Sequence, residues 1–398
     1  MWSNSKKIDR LVFVLLFLVG LGFMLQGTNL LLGTFLVIIL SDRAVIELRG
    51  GSISFWILCM LAISYYCITM FYGSGMLIAI GCPIAFYIGN KIQDTSEKAV
   101  SNIVLLCAFS MAGHIILNFL YELYYYGAGT FTSARHYDVW SGTFSTATGV
   151  MVNGTLLAGL LYYFLYIETR KIIKLCGLFC LSVIVIYDLA LGGRTFLFLL
   201  GIAFFVGIFL QLVLSKSVKN TLAIIGKLTL GVIVLMTVLL LLYQFNKDWF
   251  NTFFEESYFY HRFFYKSTYQ QGLLETSRME RRLKFITYMF DYPFGGSYAR
   301  SLVGGANHEL WLDVYDKAGV IPYVFLVVYT FISIHRVLQL FKENSIHPGF
   351  RVMIGSLFVI MLAQFFVEPI MDGSPILLFF YCLIDGMLAK ILFYRKYA

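Results

Sequence analysis

The chain has 398 residues, of which 59% are hydrophobic and only 13% are charged. Soluble globular domains average about a quarter charged residues, and here the apolar residues form runs long enough to cross a bilayer. The composition therefore excludes a water-soluble fold and predicts an all-α, polytopic integral membrane protein with a single transmembrane domain over residues 1–398.

The net charge of +8 does not indicate a nucleic-acid partner, because the positive residues fall mostly in short segments between apolar runs. In a membrane protein those segments carry the orientation signal. The seven cysteines all lie within apolar runs. There they are expected to be small buried hydrophobes, and they predict neither a disulfide framework nor a zinc site.

Hydropathy predicts about twelve transmembrane helices. The spans are expected at 11–26, 28–41, 53–72, 75–90, 102–124, 145–168, 172–191, 195–214, 221–244, 312–334, 350–367 and 375–393. An even number of spans puts both termini on one side, and the positive-inside rule makes that side cytoplasmic. The inside segments then contain Arg43, Arg49, Lys91, Lys98, Arg170, Lys171, Lys174, Lys216, Lys219, Arg336, Lys342, Arg351, Arg395 and Lys396.

Two segments on the opposite, outside face break this charge pattern. One is the loop near 125–144, which contains Arg135, Tyr137 and Trp140, and the other is a large loop over 245–311. Positive residues on the outside face oppose the orientation signal. Their presence therefore indicates that they have a function, and the simplest function is to bind an anionic ligand. The cations of the large loop are Lys247, Arg262, Lys266, Arg278, Arg281, Arg282, Lys284 and Arg300.

Residues 278–290 of the large loop predict an amphipathic helix, which the Pro and Gly residues of 291–296 then end. Such a helix either rests on the membrane surface with its arginines on lipid phosphates, or uses those arginines to bind a diphosphate. Guanidinium suits the second use because its planar fork bonds phosphate oxygens in pairs. The apolar face is predicted to carry Met279, Leu283, Ile286 and Phe290, and the polar face Arg278, Arg281, Arg282 and Lys284.

The end of the large loop predicts a second helix, with Asn307 as its N-cap and His308 in its first turn. Glu309, Asp313 and Lys317 follow at four-residue spacing, which stabilises a helix through side-chain pairs. His308 is either an interfacial hydrogen-bonding residue or a general acid and base, since imidazole titrates near neutral pH.

Three further sites lie near the outside ends of spans. Arg194 follows two glycines between two apolar runs, where it either extends to the headgroups or provides a second phosphate contact. Tyr137 and Trp140 are either interfacial belt residues or aromatic platforms for sugar rings. Glu368 is either structural or catalytic.

Several motifs are missing from the sequence. It contains no Gly-Lys-Ser/Thr of the Walker type, no His-Glu-x-x-His and no Cys/His cluster. We therefore predict neither an ATP-driven pump nor a metal site, and no cofactor. A site in this chain would have to be built on arginine and histidine.

In three segments the chain resembles the bacterial O-antigen and capsular polysaccharide polymerases of the Wzy type, which belong to a wider group with the O-antigen ligases. Gly193-Arg194-Thr195 is similar to a small-residue-then-Arg motif. Arg278 followed by Pro293-Phe-Gly-Gly is similar to an Arg…Pro-x-Gly-x-Gly stretch. Asn307-His308…Leu312…Gly319-Val-Ile is similar to His-Asn-x-x-Leu…Gly-Ile-Ile, with the first two residues exchanged.

The resemblance implies a glycosyltransferase of GT-C-like architecture in the bacterial inner membrane. Its reaction would be metal-independent and inverting: an undecaprenyl-diphosphate-linked glycan is transferred onto an incoming lipid-linked repeat unit. The further partners implied are membrane lipids and a polysaccharide chain-length regulator. His308, Arg278 and Arg194 would be catalytic. The substrate-binding residues would be Arg135, Tyr137, Trp140, Arg281, Arg282, Asn307 and Glu309.

Two alternatives remain at this point. An O-antigen ligase would transfer the finished glycan to the lipid A core. A lipid-linked oligosaccharide flippase or other transporter would suit about twelve spans, but it is expected to carry charges within its spans and to have short loops.

Overall fold

A computed structural model of the chain describes residues 13–21, 48, 50–70, 76–92, 94–132, 136–139, 142, 144–145, 147–215, 277–303, 308–368, 370–373 and 375–397, and a few single positions between 226 and 255. Apart from those single positions, the predicted spans 28–41 and 221–244 and the loop residues 245–276 lie outside the described residues. So do Arg135, Trp140 and Asn307.

The described part of the chain is helical apart from one short ribbon of two strands. The helices are α1 (13–20), α2 (Ser52–Thr69), α3 (Met76–Lys91), α4 (Glu97–Tyr126), α5 (Ala147–Ile167), α6 (Lys171–Ala190), α7 (Thr195–Ser215), α8 (Ser277–Tyr288), α9 (Ser297–Val303), α10 (Leu310–Ala318), α11 (Val320–Lys342), α12 (Pro348–Val367), α13 (Ile370–Gly373) and α14 (Pro375–Tyr397). The antiparallel ribbon pairs β1 (His136–Tyr137) with β2 (Phe144–Ser145).

Eight of the described helices are long and apolar enough to cross a membrane, namely α2, α4, α5, α6, α7, α11, α12 and α14. Helices suit this environment because a bilayer offers no water to satisfy the backbone polar groups. The chain is therefore a polytopic α-helical membrane protein. The helix α3 is shorter, with 16 residues around Pro83.

The centre of the bundle is the packing of α14 against α3, where the two backbones approach closely. A Cβ on Gly89 would lie 2.0 Å from the carbonyl oxygen of Leu383. Likewise, a Cβ on Gly386 would lie 2.1 Å from the carbonyl oxygen of Phe86. Small residues permit such close contact between helices in a membrane, where dispersion forces hold helices together.

The bundle has two ends, which we name after one residue at each. At the Glu97 end, the Glu97 carboxylate accepts the backbone N–H of His347 and lies 3.7 Å from Arg395. The other end is the Glu368 end, because α12 ends there. The segments 277–303 and 308–318 also lie at the Glu368 end, since Arg282 bonds both Glu309 and the last turn of α12.

The predicted span 312–334 is wrong in its bounds. The structure has a separate helix α10 over Leu310–Ala318, a break at Gly319, and the span itself at Val320–Lys342. Gly319 adopts a φ of 83°, a left-handed conformation that ends α10 and redirects the chain.

Two of the predicted loop cations are buried in helices. Arg336 lies within α11 and Arg351 in the first turn of α12, each less than a tenth exposed. Arg351 donates to the carbonyl oxygen of Phe341 at 2.9 Å, so it bonds the end of the preceding helix.

Candidate functional site

Three segments of the chain meet at the Glu368 end, and Arg282 joins them. Its Nε lies 3.1 Å from Oε2 of Glu309, which precedes α10. Its Nη2 donates to the carbonyl oxygen of Phe366 at 2.6 Å, in the last turn of α12. A planar guanidinium can reach both acceptors at once because its donors point in fixed directions. The structure thus brings together two of the predicted substrate-binding residues, Arg282 and Glu309.

Glu309 occupies an unusual position for a carboxylate, since only 12% of its side chain is exposed. Burial raises the pKa of Glu309, and the positive charge of Arg282 offsets only part of that increase. The carboxyl group therefore retains a proton to a higher pH than an exposed glutamate does. Such a group can donate or accept a proton near a bound substrate.

His308 is next to Glu309, but it is not in a helix as predicted. The helix α10 begins at Leu310 with Glu309 in the N-cap position, so His308 lies two residues earlier and is partly exposed. The prediction of Asn307 as N-cap is therefore wrong. The start of α10 is fixed by Trp311, whose Nε1 donates to Thr330 at 3.1 Å and whose ring lies 4.5 Å from that of Phe366.

The predicted amphipathic helix forms as α8, but it ends at Tyr288, so Met289 and Phe290 lie in the turn that follows, and the buried residues differ from the predicted apolar face. Phe285 and Met289 are buried, whereas Leu283, Ile286 and Phe290 are exposed. The buried pair packs on a small cluster formed by Val303, Leu312 and Tyr315.

The cations of α8 have different surroundings. Lys284 pairs with Glu280 at 2.7 Å, and Arg281 is partly exposed. Arg278 lies in the first turn of α8, and its side chain lies outside the described residues. Among the predicted phosphate-binding arginines whose side chains the structure describes, Arg282 connects α8 to the last turn of α12.

The motif Pro293-Phe-Gly-Gly packs on the end of α10. The carbonyl of Pro293 accepts the N–H of Val320 at 2.8 Å, and the N–H of Gly296 donates to the carbonyl of Asp316 at 2.7 Å. A Cβ on Gly295 would lie 2.2 Å from the carbonyl oxygen of Tyr315, and one on Gly319 would lie 2.3 Å from that of Pro293. Two of the segments that carried the family resemblance therefore touch, and their glycines make the contact possible.

Two side chains strengthen this contact. Arg300 pairs with the fully buried Asp316 at 2.6 Å. Tyr315 donates its hydroxyl hydrogen toward the carbonyls of Tyr288 and Tyr292, at 3.3 and 3.0 Å. Burial raises the pKa of Tyr315 to about 12, so its phenol stays protonated as this bond requires.

Tyr137 belongs to a second group of residues, built on the last turns of α4. Its backbone N–H donates to Oε1 of Glu122 at 3.0 Å, and its ring stacks on Tyr121 with centroids 5.6 Å apart. The adjacent Asp138 carboxylate lies 2.7 Å from Nε2 of His114. The side chain of Asn118 also donates to Asp138, at 3.1 Å. These polar side chains of α4 hold the loop that carries β1.

Arg194 lies between α6 and α7 and is exposed. The preceding Gly193 donates its N–H to the carbonyl of Asp188 at 2.8 Å. A Cβ on Gly193 would lie 1.7 Å from the Asp188 carboxylate, so a larger residue there would require the Asp188 side chain to move. Packing against Asp188 therefore explains the small first residue of the small-residue-then-Arg motif. The arginine of the motif is exposed in the turn.

One pair of charged residues inside the bundle was not predicted from the sequence. Arg336 of α11 pairs with Asp385 of α14, and it also donates to Oγ of Ser54 at 2.6 Å. Both charged side chains are almost completely buried. An aspartate within an apolar run was the available signal, because such a charge must find a partner.

Within the described residues, no group of three or more His, Cys, Asp or Glu side chains is arranged to hold a metal ion. Comparison of the chain with protein-family models and with curated proteins finds no match.

Proposed function

We propose that this protein polymerises lipid-linked oligosaccharide repeat units at the outer face of a bacterial inner membrane. It would have about twelve spans, and both termini would be cytoplasmic. The Glu368 end would then face outward, together with the large loop. The donor would be an undecaprenyl-diphosphate-linked glycan, and the acceptor a hydroxyl of the non-reducing sugar on a second lipid-linked unit.

The contact between Arg282 and Glu309 is the observation that carries this proposal. It brings an arginine-rich helix, a histidine-bearing segment and the end of a span together at one end of the bundle. A diphosphate on a lipid anchor lies at the surface of the bilayer, which is the depth at which a span ends. The arrangement therefore suits a substrate whose charge is fixed at that depth.

In the proposed reaction, the acceptor oxygen attacks the anomeric carbon of the donor with inversion. The bond between that carbon and the diphosphate oxygen breaks, and undecaprenyl diphosphate leaves with the bonding electrons. His308 accepts the proton of the acceptor hydroxyl. Arg278, Arg194 and Arg282 stabilise the negative charge of the leaving diphosphate, which fixed guanidinium groups can do without a metal.

The substrate glycan is proposed to lie against Tyr137, Trp140 and Arg135, with Arg281 and Asn307 as further contacts. The proposed partners are membrane lipids and a chain-length regulator. No cofactor is part of the mechanism.

The test is an assay of the purified protein with a synthetic lipid-linked repeat unit, in buffer containing a chelator. We expect a ladder of products from the wild type, and none from His308→Ala or Arg278→Ala. Lys284→Ala, which removes an exposed cation of the same helix, is the matched control. A ladder unaffected by the two site substitutions would contradict the assignment of the site.

Transport of a lipid-linked oligosaccharide is a second candidate, which the buried pair of Arg336 and Asp385 favours. Charges within spans are typical of transporters. Vesicles loaded with a labelled lipid-linked unit distinguish the two functions. Movement of the unit across the membrane with no ladder would support transport.

A further inference from the structure

We propose that α8 and the turn that follows it lie in the membrane interface, where the exposed row of Leu283, Ile286 and Phe290 inserts into the lipid leaflet at the Glu368 end of the bundle. The inserted face is thus distinct from the face that binds the rest of the protein. The proposal does not depend on the chemistry of the reaction or on which side of the membrane this end faces.

The first support is that the apolar residues of α8 and of the turn after it form two rows, and only one row is buried in the protein. Phe285 and Met289 are 0% and 6% exposed, while Leu283, Ile286 and Phe290 are 56%, 54% and 81% exposed. At 3.6 residues per turn, Phe285 projects about 160° away from Leu283 and about 100° away from Ile286, so the surface that buries Phe285 leaves these two side chains uncovered. The second row needs a separate apolar environment.

The second support is the depth at which α8 is held. The bond from Arg282 to the carbonyl of Phe366 attaches the helix to the last turn of α12, which is a candidate span. Phe366 is itself 55% exposed. The exposed row of α8 therefore lies at the level where a membrane-crossing helix ends. An interfacial helix buries its apolar face roughly 5–10 Å into the headgroup and acyl boundary.

The third support is the distribution of polar groups around α8. Glu280 and Lys284 form an ion pair on the side away from the buried face, where water can solvate both groups. Thr287, which adjoins the exposed row, donates its hydroxyl hydrogen to the carbonyl of Leu283 at 2.9 Å. A hydroxyl satisfied within the helix can face lipid at low cost. The helix thus has a protein face, a lipid face and a water face.

One consequence deepens the proposed function and rests on it. If the row of Leu283 lies in the leaflet, Arg282 and Glu309 lie beside the headgroups. A lipid-linked diphosphate would then reach these residues by lateral movement within the leaflet.

The experiment uses the wild-type protein in lipid nanodiscs and two labelling reagents. A phospholipid with a photoreactive diazirine on its acyl chain labels residues in the leaflet, and hydroxyl radicals label residues in water. Both sets of adducts are mapped by peptide mass spectrometry. Phe198 and Phe205, which are exposed on the candidate span α7, serve as positive controls for the lipid reagent. The buried Phe285 and Met289 serve as negative controls.

We expect lipid adducts at Ile286 and Phe290 at a yield within about threefold of that at Phe198, and weak oxidation by hydroxyl radicals. Strong oxidation of Phe290 with no lipid adducts would overturn the proposal, because the row would then face water. Protection of the row from both reagents, together with the mass of a dimer in the nanodisc, would also overturn the proposal. A second copy of the chain would then cover the row.

A matched pair of variants provides an independent measurement. Ile286→Gln should lower the yield of lipid adducts at Phe290 several-fold, whereas Lys284→Gln on the water face should leave it unchanged. An equal effect of the two substitutions would contradict the proposal. Because labelling requires no turnover, the result is separate from the outcome of the polymerase assay.

Discussion

Arg282 and Glu309 come from segments on either side of the Pro293-Phe-Gly-Gly turn, and their side chains meet with Nε 3.1 Å from Oε2. The same guanidinium donates to the carbonyl of Phe366, so a single side chain connects the large loop to the end of a span. The pair is partly exposed on the arginine side and mostly buried on the glutamate side. A ligand can therefore approach the guanidinium while the carboxylate stays in place.

Replacement of Arg282 should reduce polymerisation more than replacement of Lys284. We expect Arg282→Ala to lower the rate of ladder formation about 100-fold, which is typical for the loss of one fixed group that stabilises developing charge. Arg282→Lys should recover only part of this loss, because a lysine has no planar fork to reach two acceptors. Lys284→Ala is the control. A wild-type rate in Arg282→Ala would exclude the residue from the site.

Glu309 should make the stability of the protein depend on pH. Its folded-state pKa lies above the ordinary value of 4.5, so the folded protein binds this proton more tightly than the unfolded chain. The associated stability is greatest below pH 4.5 and falls as the pH rises from there through the raised pKa. In thermal unfolding, the wild type should lose stability relative to Glu309→Gln over this range.

Arg282→Ala provides the control for that measurement. Without the positive charge of Arg282, burial acts on Glu309 alone, and its pKa should rise further. The loss of stability should then extend to a higher pH than in the wild type. A difference between wild type and Glu309→Gln that is constant with pH, or that has the opposite sign, would contradict the assignment.

Most of the eight candidate spans among the described residues were predictable because their signal is local. The run 172–191 corresponds to the helix Lys171–Ala190, and the run 53–72 to Ser52–Thr69. An apolar run of this length has few alternatives to a helix, since its backbone groups must bond within the segment. The start of α4 also depends on a local contact, since the side chain of Ser96 accepts the N–H of Ala99.

The break at Gly319 and the exposed row of α8 were not predictable because they depend on distant residues. Asp313, Asp316 and Lys317 precede Gly319 and the apolar run follows it, so the sequence indicates where the apolar segment begins but not that the helix breaks there. The break exists because the carbonyl of Pro293 bonds Val320. In α8, the sequence shows apolar residues on more than one side, and tertiary contacts with Tyr315 decide that Phe285 is the buried one.

Gly319→Ala should destabilise the contact between the turn and α10. A Cβ at this position would lie 2.3 Å from the carbonyl of Pro293, and the φ of 83° is strained for alanine. We expect a loss on the order of 1–3 kcal/mol, seen as a lower melting temperature and faster proteolysis within 277–303. Gly201→Ala in α7 is the control, because a Cβ there meets nothing within 4 Å. Equal stability of the two variants would contradict the described packing.

Arg336 and Asp385 should behave as a coupled pair. Removing either charge leaves the other buried without compensation, which costs about 3–5 kcal/mol. Arg336→Met and Asp385→Leu should therefore each lower the melting temperature strongly, and the double variant should recover most of the loss. Ser54→Ala, which removes only a hydrogen bond to Arg336, should cost about 1 kcal/mol.

The double variant also separates the two candidate functions. If the pair only holds α11 against α14, a stable double variant should form ladders at nearly the wild-type rate. Additive losses in the double variant would contradict coupling between the two residues. The transport assay gives a different outcome if the pair has a role in transport. In that case the wild type moves a labelled lipid-linked unit across the vesicle membrane, and the folded double variant does not. The reason is that an apolar replacement restores packing but cannot carry charge.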